Sequence, residues 1–151
     1  MTAHLELIVD VDAPVEATWA GAVDWDHQAE WMLGTTVRGT AQDGRGEGGG
    51  ISAFTGIGRL GFLDTMVITT WEPPHRCYVL HTGKVVRGTG EFEVRDRGQG
   101  RSTFVWREDL ELPLGALGRA GWPVIKPVFA LGVQKSLEKF ARWVERGQRP
   151  A

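Results

Sequence analysis

The polar residues best suited to chemistry lie on predicted β-strands, on faces that are otherwise apolar. In STFVWREDL, alternation puts Glu108 on the same face as Phe104, Trp106 and Leu110. Because this is the more apolar face, we expect Glu108 to point toward the interior beside Trp106. A buried carboxylate is costly unless it is paired, and desolvation raises its pKa. Three roles stay open for Glu108: a partner in a structural network, a solvated residue at the sheet rim, or an acid that orients or protonates a ligand.

Three more polar residues could share this interior. Asp64 alternates with the apolar residues of FLDTMVITT. His81 shares a face of RCYVLHT with Cys77 and Val79, although apolar residues on the opposite face leave the inward side open. Arg87 is nominally outward, and a β-bulge beside it could reverse it. The candidate catalytic residues are therefore Glu108, His81, Arg87 and Asp64, and one positioned acid or base of this kind contributes roughly 10²–10⁴ in rate.

Other chemical signatures are absent or fail in context. GRGEGG (44–49) and GIGRLG (56–61) match the dinucleotide pattern, but strand-like sequence follows both, so we interpret them as hairpin turns. There is no GxSxG, and the only serines are at 52, 102 and 136, which disfavours a serine hydrolase. The four histidines show neither HxxxH nor HExxH spacing. We therefore expect neither a metal nor a cofactor.

A long amphipathic helix is predicted at the end of the chain, from Lys126 to Arg146. Its apolar and small residues recur at i, i+3 and i+4, with Pro127 in the first turn and Gly147 after the end. Within the stripe, Gly132 and Ser136 leave two dents between large residues. The dents either allow a neighbouring backbone to approach closely or form the roof of a cavity.

The elements before this helix are mostly strands. The segment from 4 to 12 alternates as a half-buried strand, and two short helices follow it, VEATWAGAV and WDHQAEWM, the second capped by Asp24 and ended by Gly34. TTVRGTA is a weak strand. Five β-rich runs then follow as a predicted meander: ISAFTG, FLDTMVITTW, RCYVLHTG, KVVRGTGEFEVRD and STFVWREDLEL. PLGALGRAGWP is predicted to be a loop before the long helix.

Composition limits the class of protein. The 151 residues predict a single domain, 1–151, and 42% hydrophobic with 24% charged residues is typical of globular chains. A net charge of −2 argues against a nucleic-acid or anionic-membrane surface. No apolar run approaches the length of a transmembrane helix, so membrane insertion is not expected. The lone Cys77 excludes an internal disulfide and is compatible with a cytoplasmic location.

The element order, VDAPVEATWAGAVDWDHQAEWM near the start and WREDLELPLG before the last helix together resemble the START-like helix-grip (SRPBCC) superfamily. Within it, the chain is most similar to the bacterial polyketide cyclase/dehydrase and lipid-transport group. The resemblance covers essentially the whole chain. It implies an α+β fold in which a curved seven-stranded antiparallel sheet wraps around the C-terminal helix. The superfamily contains carriers, cyclases, hydrolases and co-chaperones, so the fold alone does not select a function.

Two functions are carried forward from the residues and the resemblance. The first is a carrier or sensor that binds a lipid, a polyketide or another aromatic or isoprenoid-like molecule between sheet and helix. The second is a metal-independent polyketide cyclase, aromatase or dehydratase that uses acids and bases of the cavity. A co-chaperone would instead expose a large apolar patch. The predicted ligand-binding residues are Trp31, Met66, Ile68, Phe92, Phe104, Trp106, Glu108, Trp122, Phe129, Gly132, Val133 and Ser136. The oligomeric state stays open.

Overall fold

The computed structural model describes residues 2–111 and 115–147. Its strands are β1 (Thr2–Val11), β2 (Thr35–Gly39), β3 (Gly50–Ile57), β4 (Leu60–Glu72), β5 (Arg76–Thr82), β6 (Arg87–Gly98) and β7 (Arg101–Glu111). Its α-helices are α1 (Val15–Ala22) and α2 (Ala116–Gly147). Two 3₁₀ helices, Trp25–Glu30 and Ala41–Gly44, lie before and after β2.

The seven strands form one curved sheet in the order β1-β7-β6-β5-β4-β3-β2, and every neighbouring pair is antiparallel. Strands β2 to β7 therefore follow each other as hairpins, while β1 returns to pair with the last strand. This confirms the predicted α+β helix-grip architecture. Both glycine-rich motifs lie at connections between antiparallel neighbours, and a strand follows each of them.

The second half of α2 packs on the concave face of the sheet. Val133, Leu137, Phe140 and Val144 are buried there, at the helical spacing that the sequence shows. The Phe140 ring lies 4.8 Å from both the Trp31 ring and the Phe104 ring, measured between centroids. These aromatic contacts anchor α2 on the sheet and hold the neighbouring turns of the helix in place above it.

An ion-pair network covers the convex face of β1, β6 and β7. The Arg107 guanidinium on β7 donates to Glu6 on β1 at 2.6 Å and to Glu93 on β6 at 2.7 Å. Hydrogen bonds from Arg95 and Arg107 lower the pKa of Glu93 to about 2. Because Arg107 points outward, its neighbours Trp106 and Glu108 point inward, as strand alternation predicts.

The helix α2 begins about ten residues earlier than predicted. Residues 116–123 of the predicted loop form its first two turns, and the Arg119 amide already donates to the Gly115 carbonyl. Pro123 and Pro127 lie inside the helix, where each removes one amide donor. Those prolines made a start near Lys126 the natural prediction, but the flanking residues remain helical on both sides. Residues 112–114 lie outside the described residues.

Two smaller predictions also need correction. The second short helix is a 3₁₀ helix that ends at Glu30, and Asp24 precedes it without a side-chain capping hydrogen bond. Gly34 does not end that helix. It has a φ of 69°, a conformation that favours glycine, and it turns the chain into β2. Strand β6 begins at Arg87, three residues after the predicted start.

Candidate functional site

A cavity of about 380 Å³ lies between the concave face of the sheet and α2. Its wall is predominantly apolar and combines residues of β1 to β7, the segment after α1, and α2. Eight of the twelve residues predicted to bind ligand line it: Met66, Phe92, Trp106, Glu108, Phe129, Gly132, Val133 and Ser136. The sequence pattern thus located part of one continuous wall.

The other four predicted residues are not part of this wall. Trp31, Ile68 and Phe104 are fully or almost fully buried and form the packed core next to the cavity. Trp122 belongs to the early turns of α2. Strand alternation predicts which side chains point to the concave face of the sheet. It does not predict whether such a side chain meets the cavity or packs against the second half of α2.

The two dents in α2 have different surroundings. A Cβ atom added at Gly132 would meet nothing within 4 Å, so this position faces open space in the cavity. Ser136 lines the cavity but is engaged: its hydroxyl donates to the Gly132 carbonyl at 3.0 Å and accepts from the Leu33 amide at 3.1 Å. Ser136 therefore joins the segment after α1 to the roof of the cavity.

Three of the four candidate catalytic residues meet on the cavity wall. His81 on β5 bridges two carboxylates: its Nδ1 lies 2.8 Å from Asp64 Oδ1 on β4, and its Nε2 lies 3.0 Å from Glu108 Oε2 on β7. The Trp106 indole N–H donates to Glu108 Oε1 at 2.7 Å. The side chains of His81, Asp64 and Glu108 are only 4%, 13% and 12% exposed. We call these four residues the polar cluster.

Strand register and one glycine make room for the cluster. Met66 pairs with His81, and Gly90 on β6 pairs with Glu108. Gly90 lies between the strands of His81 and Glu108, so a side chain there would stand between them. A Cβ at Gly90 would lie 2.9 Å from Glu108 Oε2 and 3.1 Å from Val79 Cγ2. The absence of a side chain at Gly90 therefore leaves the space in which His81 and Glu108 form their hydrogen bond.

The environment of His81 favours its protonated form. Burial by itself lowers the pKa of a histidine, but the hydrogen bonds to Asp64 and Glu108 outweigh it and raise the pKa of His81 to about 9. At neutral pH, His81 is therefore an imidazolium between two carboxylates. Both of its N–H groups are already donated.

Stability is expected to fall as the pH rises from about 6.5 to about 9. The pKa of His81 is higher in the folded chain than its value of 6.5 in the unfolded chain, so its contribution is complete below pH 6.5. It is lost as His81 deprotonates, and the loss is on the order of 2 kcal/mol or more, since one pKa unit corresponds to about 1.4 kcal/mol. Thermal melting across this pH range measures the effect.

The matched control for the pH series is His81→Gln, which removes the titrating group. Its melting temperature should be lower at neutral pH and should change much less between pH 6.5 and 9. A wild-type melting curve that is flat over this interval would contradict the proposed charge state of His81.

Arg87 does not join the polar cluster. Its side chain is 65% exposed, and its Nε lies 3.5 Å from Glu111 Oε2 on the neighbouring strand. The register irregularities of the sheet fall at Ile68/Thr70 and at Asp96/Gly98, so no bulge turns Arg87 inward. The outward orientation suggested by strand alternation is the one observed.

Several wall residues were missed in the sequence. Gln28 and Leu33 come from the segment after α1, where no periodic pattern marks an inward side. Ile51 and Ala53 line the wall from β3, and their alternation in ISAFT was a usable signal. The cavity also includes Cys77, but burial raises the pKa of its thiol to about 12, so it remains protonated and is a poor nucleophile.

Residues 2–111 and 115–147 were searched for metal-binding groups and for membrane-spanning helices. No group of three or more His, Cys, Asp or Glu in these ranges could hold a metal ion. In the polar cluster this is because both nitrogens of His81 face carboxylates instead of a shared central point. Within the same ranges, no helix is long and apolar enough to cross a membrane.

Solved structures with the same fold include proteins of different activities. ZhuI aromatase/cyclase from Streptomyces sp. R1128 matches with 16% identity over 99% of this chain and 97% of its own, at a TM-score of 0.80. A protein of Thermus thermophilus matches with 13% identity over 97% and 100%, at a TM-score of 0.78. A point mutant of norcoclaurine synthase from Thalictrum flavum matches with 11% identity over 99% and 98%, at a TM-score of 0.67.

These identities are low, so the structural likeness shows the fold alone. No curated protein sequence matches the chain. The family model described as polyketide cyclase/dehydrase and lipid transport matches residues 2–145. Because that match spans nearly the whole sequence and agrees with the observed helix-grip fold, the chain belongs to the polyketide cyclase/dehydrase and lipid transport family.

Proposed function

We propose that this protein is a carrier or sensor that holds one small, mainly apolar molecule in the cavity under α2. The observation that carries the proposal is a cavity of about 380 Å³ whose apolar wall contains one ordered polar cluster. If it were closed and dry, a cavity of this size would cost roughly 9 kcal/mol at ~24 cal/mol per Å³, comparable to the whole stability of a typical domain. Occupation by a ligand or by water removes much of that cost.

The polar cluster also indicates which end of a ligand it would bind. His81 and Trp106 have already donated their N–H groups, so the cluster presents carboxylate oxygens, chiefly those of Asp64, to the cavity. Gln28, another wall residue, has a buried Oε1 atom without a hydrogen-bond partner among the described residues. These groups accept hydrogen bonds. The favoured ligand is therefore an apolar molecule with a hydroxyl or another donor at one end, and a carboxylate end is disfavoured.

The test is a fluorescence titration with a matched pair of probes, 2-naphthol and its methyl ether. We expect 2-naphthol to bind about tenfold or more tightly, because a buried acceptor left without a donor costs about 1–3 kcal/mol. In Asp64→Asn, which places an amide donor on the wall, the preference should shrink. Equal affinities for the two probes would contradict the donor requirement, and no binding of either would contradict the cavity function for apolar molecules of this size.

A second candidate function is a cyclase or dehydratase that works on a keto or hydroxy ligand without a metal. The observation that favours it is the His81 imidazolium held between two carboxylates on the wall of an apolar cavity. To act as an acid, His81 would turn one N–H group from its carboxylate to the leaving hydroxyl, which departs as water. The carboxylate that this movement frees would accept the proton from carbon. Mass spectrometry of a bound β-hydroxyketone separates the two functions: a carrier returns it unchanged, and a dehydratase returns it without the elements of water.

A further inference from the structure

The mouth of the cavity is surrounded by exposed apolar side chains, most of them on the β3–β4 hairpin and on α2. Phe62, Leu33, Val128 and Phe129 line the cavity and are also exposed to solvent, so they mark its opening. Farther from the cavity, the β3–β4 hairpin and α2 carry apolar side chains that are mostly more exposed than these. We define the mouth surface as Ile57, Leu60 and Phe62 on the β3–β4 hairpin together with Val124, Ile125 and Val128 on α2.

The exposure within the mouth surface is unusually high for aliphatic residues. Ile57 and Leu60 are 88% and 83% exposed and pair with each other at the hairpin tip. On α2, Val124 is 75% and Val128 is 73% exposed. Val124 lies one turn before Val128, so this face of the helix runs outward from the opening of the cavity. Exposed apolar residues grouped in this way around the opening of a cavity mark an interaction site.

The segments that carry the mouth surface, and the turn between β5 and β6, contain basic residues but no acidic ones. The segments 53–63, 82–90 and 115–137 contain no acidic residue, although the whole chain has a net charge of −2. Apart from Arg87, and from Lys135 in the packed half of α2, their basic residues are Arg59, Lys84, Arg119 and Lys126. These four are exposed and form no ion pair within the described ranges. Arg87 forms an ion pair with Glu111. The argument from net charge against an anionic surface therefore does not hold locally.

We propose that the mouth surface docks on an anionic lipid bilayer, with the aliphatic tips among the lipid headgroups and the four basic residues against the lipid phosphates. Each basic residue near such a surface contributes about 1 kcal/mol, or about fivefold in partitioning. Proteins that bind at the membrane–water interface commonly combine apolar side chains with lysine and arginine. The inference goes beyond the proposed function, because it assigns a surface and a partner without depending on what occupies the cavity.

A bilayer fits this surface better than a protein does. A second copy of the chain would bring four like charges against four others, which opposes association. An acidic protein would satisfy the charges, but the two most exposed side chains, Ile57 and Leu60, stand at a hairpin tip with a glycine turn between them. Such a protruding tip suits a deformable headgroup layer. The open mouth would then face the layer from which an apolar ligand is taken.

The experiment is co-sedimentation with vesicles of phosphatidylcholine alone or of phosphatidylcholine mixed with phosphatidylserine. We expect binding to the mixed vesicles only, weakened by added salt because salt screens the basic residues. Ile57→Ser with Leu60→Ser should reduce binding at least tenfold, and Arg59→Gln with Lys126→Gln roughly 25-fold, at about fivefold for each charge. Arg142→Gln with Lys139→Gln, which removes the same charge from the other half of α2, should bind like the wild type.

Equal binding to both kinds of vesicle, no binding to either, or an equal loss in the Arg142 and Lys139 control would overturn the proposal. So would analytical ultracentrifugation showing a dimer that the Ile57 and Leu60 variant dissociates, since a second copy would then occupy the surface. Gly132→Leu, which fills the cavity, should leave vesicle binding unchanged. Failure of vesicle docking and failure of the cavity function are thereby measured separately.

Discussion

Replacing Glu108 by Gln should lower the free energy of unfolding by about 3 kcal/mol, the size found when a buried ion pair loses one partner. Glu108 accepts from His81 at 3.0 Å and from the Trp106 indole at 2.7 Å, and its side chain is only 12% exposed. A glutamine has one carbonyl oxygen in place of two carboxylate oxygens. It can accept from one of these donors, while its amide group turns a donor toward the other.

The measurement is thermal melting at neutral pH, where about 3 kcal/mol corresponds to a fall of roughly 6–12 °C for a chain of this length. Glu111→Gln is the matched control: Glu111 is 60% exposed and lies 3.5 Å from Arg87, so its loss should change stability by less than about 1 kcal/mol. A normal melting temperature with weakened ligand binding would instead make Glu108 a ligand-facing acid. A variant unchanged in both respects would contradict a role for Glu108 in the cavity.

The sequence was most informative where a local pattern has one geometric meaning. Alternation in STFVWREDL was enough to place Glu108 inside, because neighbouring residues on a strand face opposite sides. The same rule was ambiguous for His81, since apolar residues stand on both faces of RCYVLHT. The structure resolves it: Leu80 is 43% exposed on the convex face, and His81 is buried. Only the partner strands decide such a case.

The composition of the site depended on register between strands, which no local pattern encodes. Asp64, His81 and Glu108 meet because β4, β5, β6 and β7 are neighbours and Gly90 leaves a gap between His81 and Glu108. The length of α2 was underestimated because Pro123 and Pro127 are strong local signals against a helix interior. The mouth surface was also invisible, since it joins a hairpin tip and a helix that are far apart in the chain.

Filling the cavity should abolish ligand binding with little change in the fold. Gly132 lines the roof, and a Cβ there would meet no atom within 4 Å, so a leucine side chain would extend into space that a ligand needs. Replacing glycine by leucine inside a helix also favours the helical state by several tenths of a kcal/mol. We therefore expect Gly132→Leu to bind 2-naphthol at least 100-fold more weakly, while its far-UV circular dichroism stays native and its melting temperature does not fall.

Gly147→Leu is the matched control, because it makes the same substitution at the other end of α2. A Cβ there would also meet nothing within 4 Å, and Gly147 does not line the cavity. Its affinity for 2-naphthol should equal that of the wild type. Loss of binding in Gly132→Leu alone would locate the ligand under the roof of α2. Unchanged binding in Gly132→Leu would mean that the probe binds elsewhere, and the open space at Gly132 would then be a feature of packing with no role in binding.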